Sequence, residues 1–172
     1  MSIAIRPATA SDADAIHHIQ RAAFPTAAEA NLVDALTASG DARLSLVAED
    51  EGGIVAHLMC SRMTVEADGR GVDAVGLAPV AVRPEYQRRG IGSALIEAAI
   101  ADTRTAGAEM MFVLGDPAYY GRFGFTTEVA RPFASPYAGR YFQALVLSAD
   151  ETTPSQGRAD YAPPFAALER GT

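Results

Sequence analysis

The stretch Gln87-Arg88-Arg89-Gly90-Ile91-Gly92 has the composition of an anion-binding loop. It follows an apolar run, GLAPVAV, and precedes apolar residues that recur at helical spacing. A helix that begins near Gly90 would point unpaired backbone N–H groups, and the positive end of its dipole, toward the end of the strand. Glycines let an anion approach the backbone closely, and the two arginines add full positive charge. The pattern therefore predicts a cradle for a diphosphate.

This loop differs from two common phosphate-binding loops. It lacks the glycine-rich loop with lysine of a P-loop, and the chain contains no lysine at all. It also lacks the GxGxxG pattern of dinucleotide-binding folds, in which the glycines directly follow the strand. Here a four-residue spacer, Arg83-Pro84-Glu85-Tyr86, separates the strand from the loop. An ATPase, a GTPase or a dinucleotide-binding enzyme is therefore disfavoured.

Helices and strands must position this loop. Apolar residues recur along the chain at helical spacing in some segments and at strand spacing in others, and turn residues separate these segments. The predicted strands are 3–6, 43–49, 54–65, 73–82, 110–114, 126–129 and 142–147, with helices at 12–24, 28–39 and 90–106 and a short turn or helix at 115–123. No repeat or linker interrupts this order. We therefore expect one mixed α/β domain over 1–172, with its core at about 3–147 and a tail at 149–172 that holds one more edge strand.

Composition narrows the class of protein. A chain of 172 residues with 49% apolar and 20% charged residues is typical of a globular domain. The net charge is −7 and the 14 arginines are scattered, so nucleic-acid binding is not expected. No apolar run approaches the roughly 20 residues that span a bilayer, and no signal-peptide pattern is present, so we expect a cytoplasmic protein. Cys60 is the only cysteine and is expected to be a buried thiol. No metal site is predicted.

Two segments resemble the GNAT superfamily, the acetyl-CoA-dependent N-acetyltransferases. The segment VAVRPEYQRRGIGSALIEAAI is similar to the strand–loop–helix core of that family, whose pyrophosphate loop reads Gln-x-x-Gly-x-Gly. The segment YGRFGF at 120–125 resembles the family's later Tyr-x-x-x-Gly-Phe signature. Both occur in the family's order, and the resemblance covers about 3–147. It implies an α/β fold with a central, mostly antiparallel mixed sheet flanked by helices, and a splayed pair of strands that admits acyl-CoA.

The resemblance also implies roles for individual residues. Backbone amides of the loop and first helical turn would bind the CoA pyrophosphate, and the main chain of the preceding strand would pair with the pantetheine arm. The pyrophosphate residues are Gln87, Arg88, Arg89, Gly90, Ile91, Gly92 and Ser93, and the pantetheine residues are Val80, Ala81 and Val82. Tyr120 matches the general acid toward the departing thiolate, with the adjacent Tyr119 as the alternative. Asp116 stands near a cofactor-binding asparagine of many relatives, and it can equally cap the short helix.

The implied function is transfer of the acetyl group of acetyl-CoA to a primary amine of a small molecule or protein, by direct attack. The alternative is an acyl-CoA-binding sensor without transferase activity, because strand 75–82 lacks the carboxylate that relatives often use as general base. Glu29 and His57 could supply that base, or could have purely structural roles. Two arginines in 131–140 suit an anionic acceptor, whereas the net charge favours a cationic one. The resemblance also allows a homodimer.

Overall fold

The computed structural model describes residues 2–149 and 154–170. Its strands form a mixed, mostly antiparallel sheet flanked by helices, which is the predicted fold class. The strands are β1 (Ala4–Pro7), β2 (Ala42–Asp50), β3 (Gly53–Ala67), β4 (Arg70–Val72), β5 (Ala74–Val82), β6 (Met110–Leu114), β7 (Phe133–Ala134), β8 (Phe142–Val146) and β9 (Gly157–Tyr161). The helices are α1 (Ala13–Ala23), α2 (Ala28–Ser39), α3 (Ile91–Thr105), α4 (Pro117–Tyr120), α5 (Thr127–Ala130) and α6 (Phe165–Arg170). Short 3-10 turns lie at Ala10–Asp12, Pro84–Tyr86 and Gly121–Phe123.

The chain divides into two compact units, of which unit 1 comprises Met1–Cys60, Ala78–Ala99 and Pro163–Thr172. Within unit 1, β1 pairs antiparallel with β2, and the strand order continues to β3 and β5. Helix α2 packs against α1 and α6, and it ends at Gly40, whose φ of 79° is the left-handed conformation favoured by glycine at this position. Unit 1 therefore contains the end of β5 and the start of α3.

Unit 2 comprises Ser61–Leu77 and Ile100–Ala162. The first residues of β5 run parallel to β6 over three pairs, from Ala74–Met110 to Gly76–Phe112, and β6 pairs antiparallel with β8. The later part of β3 pairs with β4 and β9. Three phenylalanines form the centre of the unit 2 core, since Phe112 lies edge-on to Phe133 and is stacked with Phe142. Helix α5 packs against β8, which contributes Phe142 to this aromatic core.

Two predictions about the later part of the chain are wrong. The segment 126–129 is not a strand, because the Thr126 hydroxyl accepts a hydrogen bond from Val129 N at 3.2 Å and caps α5, leaving only a single bridge from Thr126 to Ala144. The predicted tail segment is present as β9, but its edge position is wrong, because β9 pairs antiparallel with β3 and parallel with β7. The remainder of the predicted tail, at 150–153 and 171–172, lies outside the described residues.

Two kinds of feature in the described part of the chain would bear on its class, a membrane-spanning helix and a cluster of metal-ligating side chains. No helix there is long and apolar enough to cross a bilayer. No group of three or more His, Cys, Asp or Glu side chains in residues 2–149 and 154–170 is placed to hold a metal ion. Cys60 is fully buried, and burial raises the pKa of its thiol to about 12, which confirms the predicted structural thiol.

His57 is an interior residue of unit 1. Its side chain is buried, with Nδ1 2.9 Å from Gln20 Nε2 and Nε2 2.8 Å from Ser45 Oγ. Both ring nitrogens are thus occupied by neutral partners, and burial lowers the pKa of the imidazole to about 4. These contacts support a structural role for His57 and not the role of general base.

This buried histidine makes stability depend on pH. The unfolded chain takes up a proton on His57 near pH 6.5, but the folded chain resists protonation until about pH 4. Stability therefore falls as the pH drops below 6.5, by about 2 kcal/mol between pH 7 and pH 5 from this group alone. Urea unfolding at both pH values should show this loss in the wild type and not in His57→Gln. Equal pH dependence in the two proteins would contradict the buried, neutral state.

Candidate functional site

The loop between β5 and α3 has an unusual backbone conformation. Arg88 has a φ of 64° and Gly90 a φ of 81°, so two left-handed residues flank Arg89. Alternation of right-handed and left-handed residues gathers successive backbone N–H groups on one side of the chain and creates an anion-binding concavity. An arginine in the left-handed region costs roughly 1–2 kcal/mol, and such strain concentrates at binding sites.

The start of α3 adds further donors to this loop. The first helical hydrogen bond runs from Ala94 N to Gly90 O at 3.0 Å. The backbone N–H groups of Ile91, Gly92 and Ser93 precede that bond, so they have no acceptor four residues earlier within the helix. Helix α3 runs for 15 residues, and its dipole places partial positive charge at this end. The geometry is that of an anion cradle, as the residue pattern predicts.

Two hydrogen bonds hold the loop on the sheet of unit 1, and one cation–π contact orders the loop internally. Gln87 Nε2 donates to Val82 O at 3.1 Å, which ties the loop to the end of β5. The Tyr86 hydroxyl donates to Asp50 Oδ2 at 2.6 Å, and the Arg89 guanidinium lies 5.0 Å above the centre of the Tyr86 ring. The Tyr86 hydrogen bond lowers the pKa of Asp50 and raises the pKa of Tyr86 itself. Arg89 is thereby oriented beside the strained backbone.

Sequence reasoning missed the contribution of Tyr86 and Asp50. They lie 36 residues apart, and a turn aspartate followed much later by a tyrosine carries no periodic signal. Asp50 also accepts a hydrogen bond from Gly52 N at 2.8 Å, which is a local turn role. The strand order β2–β3–β5 brings Asp50, at the end of β2, to Tyr86, which follows β5.

The predicted pantetheine residues lie on the last part of β5. Ala81 is buried, whereas Val80 and Val82 are half-buried. Arg83 N donates to Val55 O at 2.9 Å, so this end of β5 is bound to β3. Residues 80–93 therefore form one continuous strand–loop–helix segment within unit 1.

Tyr120 lies in unit 2 at the end of α4. Its ring packs edge-on against Phe125, with the ring centres 5.9 Å apart. A Cβ on Gly115 would come within 2.5 Å of the Tyr120 ring, so only glycine leaves room for this placement. Burial raises the pKa of the Tyr120 phenol to about 12. The hydroxyl is therefore a proton donor throughout the physiological range.

Two neighbours of Tyr120 have other contacts. Tyr119 lies edge-on to Tyr120 and Phe123, with the Arg122 guanidinium 5.3 Å above its ring centre. Asp116 Oδ1 accepts from Ala118 N at 3.0 Å, so the structure shows Asp116 as the cap of α4. Its contact with a cofactor stays a prediction.

The general-base candidates differ in their surroundings. Strand β5, Ala74–Val82, carries no titratable side chain. Glu29 lies in the first turn of α2, where the helix dipole favours a carboxylate. The predicted site residues thus fall into two sets, 80–93 in unit 1 and Asp116 with Tyr120 in unit 2.

Residues 4–127 match the family model of the acetyltransferase (GNAT) domain. The chain belongs to the GNAT acetyltransferase family. It is similar to two uncharacterized N-acetyltransferases of Escherichia coli K12. YjhQ is 41% identical over 117 residues, which cover 67% of this chain and 65% of YjhQ, just under two thirds of its length. YhbS is 32% identical over 153 residues, which cover 87% of this chain and 90% of YhbS.

Solved structures agree with this membership. The crystal structure of Escherichia coli YhbS in complex with CoA has a TM-score of 0.86 and 30% identity, covering 95% of this chain and 92% of that one. A GNAT family acetyltransferase from Brucella melitensis, in complex with acetyl-CoA, has a TM-score of 0.77 and 35% identity, covering 95% of this chain and 98% of that one.

Proposed function

We propose that this GNAT family member transfers the acetyl group of acetyl-CoA to a primary amine. The observation that carries the proposal is the strained loop at Arg88 and Gly90 together with the open start of α3. A diphosphate needs several converging N–H donors and local positive charge, and this segment supplies both. Crystal structures of two relatives that contain CoA or acetyl-CoA support the choice of ligand.

The proposed cofactor contacts follow the residue types. Backbone N–H groups at 88–93 bind the pyrophosphate, with Arg88 and Arg89 adding charge and Gln87 holding the loop to Val82. The main chain of Val80, Ala81 and Val82 pairs with the amide groups of the pantetheine arm, as an added strand would. Asp116 is retained as a proposed contact through its position after β6.

The proposed reaction is a single displacement. The neutral amine attacks the thioester carbonyl, the new C–N bond forms, the C–S bond breaks and the amine loses a proton. We assign that proton to solvent, because β5 carries no carboxylate to receive it. The leaving thiolate needs little help, since a thiol has a pKa of about 8.5. No covalent enzyme intermediate is required, which agrees with the complete burial of Cys60.

Tyr120 is the proposed general acid. Because its pKa is about 12, complete proton transfer to a free thiolate would be uphill by about 5 kcal/mol. Tyr120 therefore acts mainly by donating a hydrogen bond to the sulfur while negative charge develops there. Tyr119 is the matched alternative, one residue away.

The acceptor is a small molecule or a protein amine, the chain functions as one domain, and the reaction takes place in the cytoplasm. A homodimer stays a prediction. An acyl-CoA sensor is the second candidate, favoured by the absence of a carboxylate on β5. Acetyl-CoA binding without acetylation of any amine would select the sensor.

A pair of glycine variants tests the cradle. Gly90 and Gly40 have φ values of 81° and 79°, and a Cβ at either position meets nothing within 4 Å. Valine at either position should therefore cost a similar stability, roughly 1–2 kcal/mol. Only Gly90→Val should also weaken acetyl-CoA binding, by roughly tenfold or more, because it disturbs the N–H donors. Calorimetric titration and urea unfolding of both variants measure the two effects. Equal affinity in Gly90→Val and Gly40→Val would remove the loop from the binding site.

A pair of tyrosine variants tests the acid. Tyr120→Phe should lower kcat by roughly a hundredfold with little change in acetyl-CoA affinity, because the hydroxyl acts on the departing sulfur. Tyr119→Phe should retain kcat within about twofold. Steady-state kinetics on any accepted amine, with acetyl-CoA titration as the binding control, distinguish the two residues. If Tyr119→Phe lowered kcat more than Tyr120→Phe, Tyr119 would be the general acid instead.

A further inference from the structure

A cavity lies entirely within unit 2. Its volume is about 520 Å³, within the range that holds small-molecule ligands. Pro117, the first residue of α4, lines it together with Thr127 and Arg131 of the α5 region and Arg140 of the loop before β8. Helix α4 ends at Tyr120, so the cavity wall and the proposed acid share one four-residue helix.

The floor of this cavity is apolar and fixed. Phe133 and Phe142 both line it, and they are 1% and 2% exposed. Both rings pack on Phe112, at centroid distances of 5.3 Å and 5.4 Å. A floor that is part of the unit 2 core offers a rigid surface to an apolar ligand body.

Two arginines stand at the rim without an acidic partner. Arg131 ends α5, and Arg140 follows Gly139, whose φ of 147° is a conformation that favours glycine. Among the residues that the structure describes, neither arginine forms an ion pair with a carboxylate. The Arg140 guanidinium lies 4.8 Å above the centre of the Tyr141 ring, which restrains it.

The two guanidinium groups come from different segments of unit 2 and line the same apolar cavity. Arginine presents a planar fork of N–H donors that binds carboxylate and phosphate groups. Two arginines at one cavity, with no carboxylate partner among the described residues, can therefore bind an anionic group.

We propose that this cavity binds the anionic group of the acceptor, so that the enzyme prefers amines that carry a carboxylate or phosphate on an apolar body. This inference rests on the proposed acetyl transfer. It also removes the conflict with the net charge of −7, because an amine that carries a carboxylate is a zwitterion. The long-range field of the protein then neither attracts nor repels the acceptor strongly.

The test is a competition experiment. The protein receives acetyl-CoA and an equimolar mixture of long-chain ω-amino acids and their carboxamides. The terminal group lies far from the amine in these compounds, so its charge changes while the basicity of the amine hardly does. Mass spectrometry should show the acetylated carboxylates in at least tenfold excess over the acetylated carboxamides. Arg131→Gln and Arg140→Gln should each reduce this excess at least threefold. Arg158→Gln should leave it unchanged, because Arg158 pairs with Asp160 and does not line the cavity.

A binding measurement locates the effect without turnover. Phenylacetate should shift the Nε–H resonances of Arg131 and Arg140 saturably in NMR spectra, and phenylacetamide should bind at least tenfold more weakly. Equal acetylation of carboxylates and carboxamides, no acetylated carboxylate at all, or no saturable shift with phenylacetate would each overturn the inference. Titration with acetyl-CoA on the same samples distinguishes failure of the anionic acceptor site from failure of the proposed acetyl transfer. If acetyl-CoA binds, the proposed function survives and only the anionic acceptor is lost.

Discussion

The central constraint in this protein is the set of backbone N–H groups left without intrahelical acceptors where β5 gives way to α3. Every helix begins with such donors, but here the preceding loop places two left-handed residues, Arg88 and Gly90, directly ahead of them. The left-handed conformation of Arg88 costs backbone energy, and it directs the amide groups of the loop to the same side. Tyr86, Asp50 and Gln87 hold it in that conformation by contacts to the sheet of unit 1. An anion is the natural complement to this arrangement.

Much of this segment could be predicted from the sequence because its signals are local. A run of small apolar residues predicts the strand, Pro84 ends it, and Gly90 precedes the helical period. The core of unit 1 was predictable for the same reason, since Gly40 ends α2 as expected. The resemblance to the GNAT family indicated the remaining candidate residues. It named Tyr120, but it could not show that Gly115 makes room for the ring.

The failures have two physical origins. Thr126 and Val129 have strand propensity, yet a local hydroxyl cap and an adjacent helical turn decide the conformation there. Strand β9 lies far from β3 in sequence, so its two partners could not be predicted from a polar tail. The Asp50–Tyr86 bond likewise joins residues that are distant in sequence. Long-range pairing determines these last two features, and the periodicity within a short window of residues carries no information about it.

The proposed acetyl transfer depends most directly on recognition of a diphosphate by the loop at 87–93. Calorimetric titration of the full chain with acetyl-CoA and with S-acetylpantetheine, which lacks the diphosphate, tests this claim, with ATP and NAD as controls. Acetyl-CoA should bind saturably, and S-acetylpantetheine should bind roughly a hundredfold more weakly or not at all, because several charge-assisted hydrogen bonds are lost. ATP and NAD carry a diphosphate but no pantetheine arm, so they should bind more weakly than acetyl-CoA. Equal binding of the two thioesters, or no binding of acetyl-CoA to the folded protein, would contradict the account.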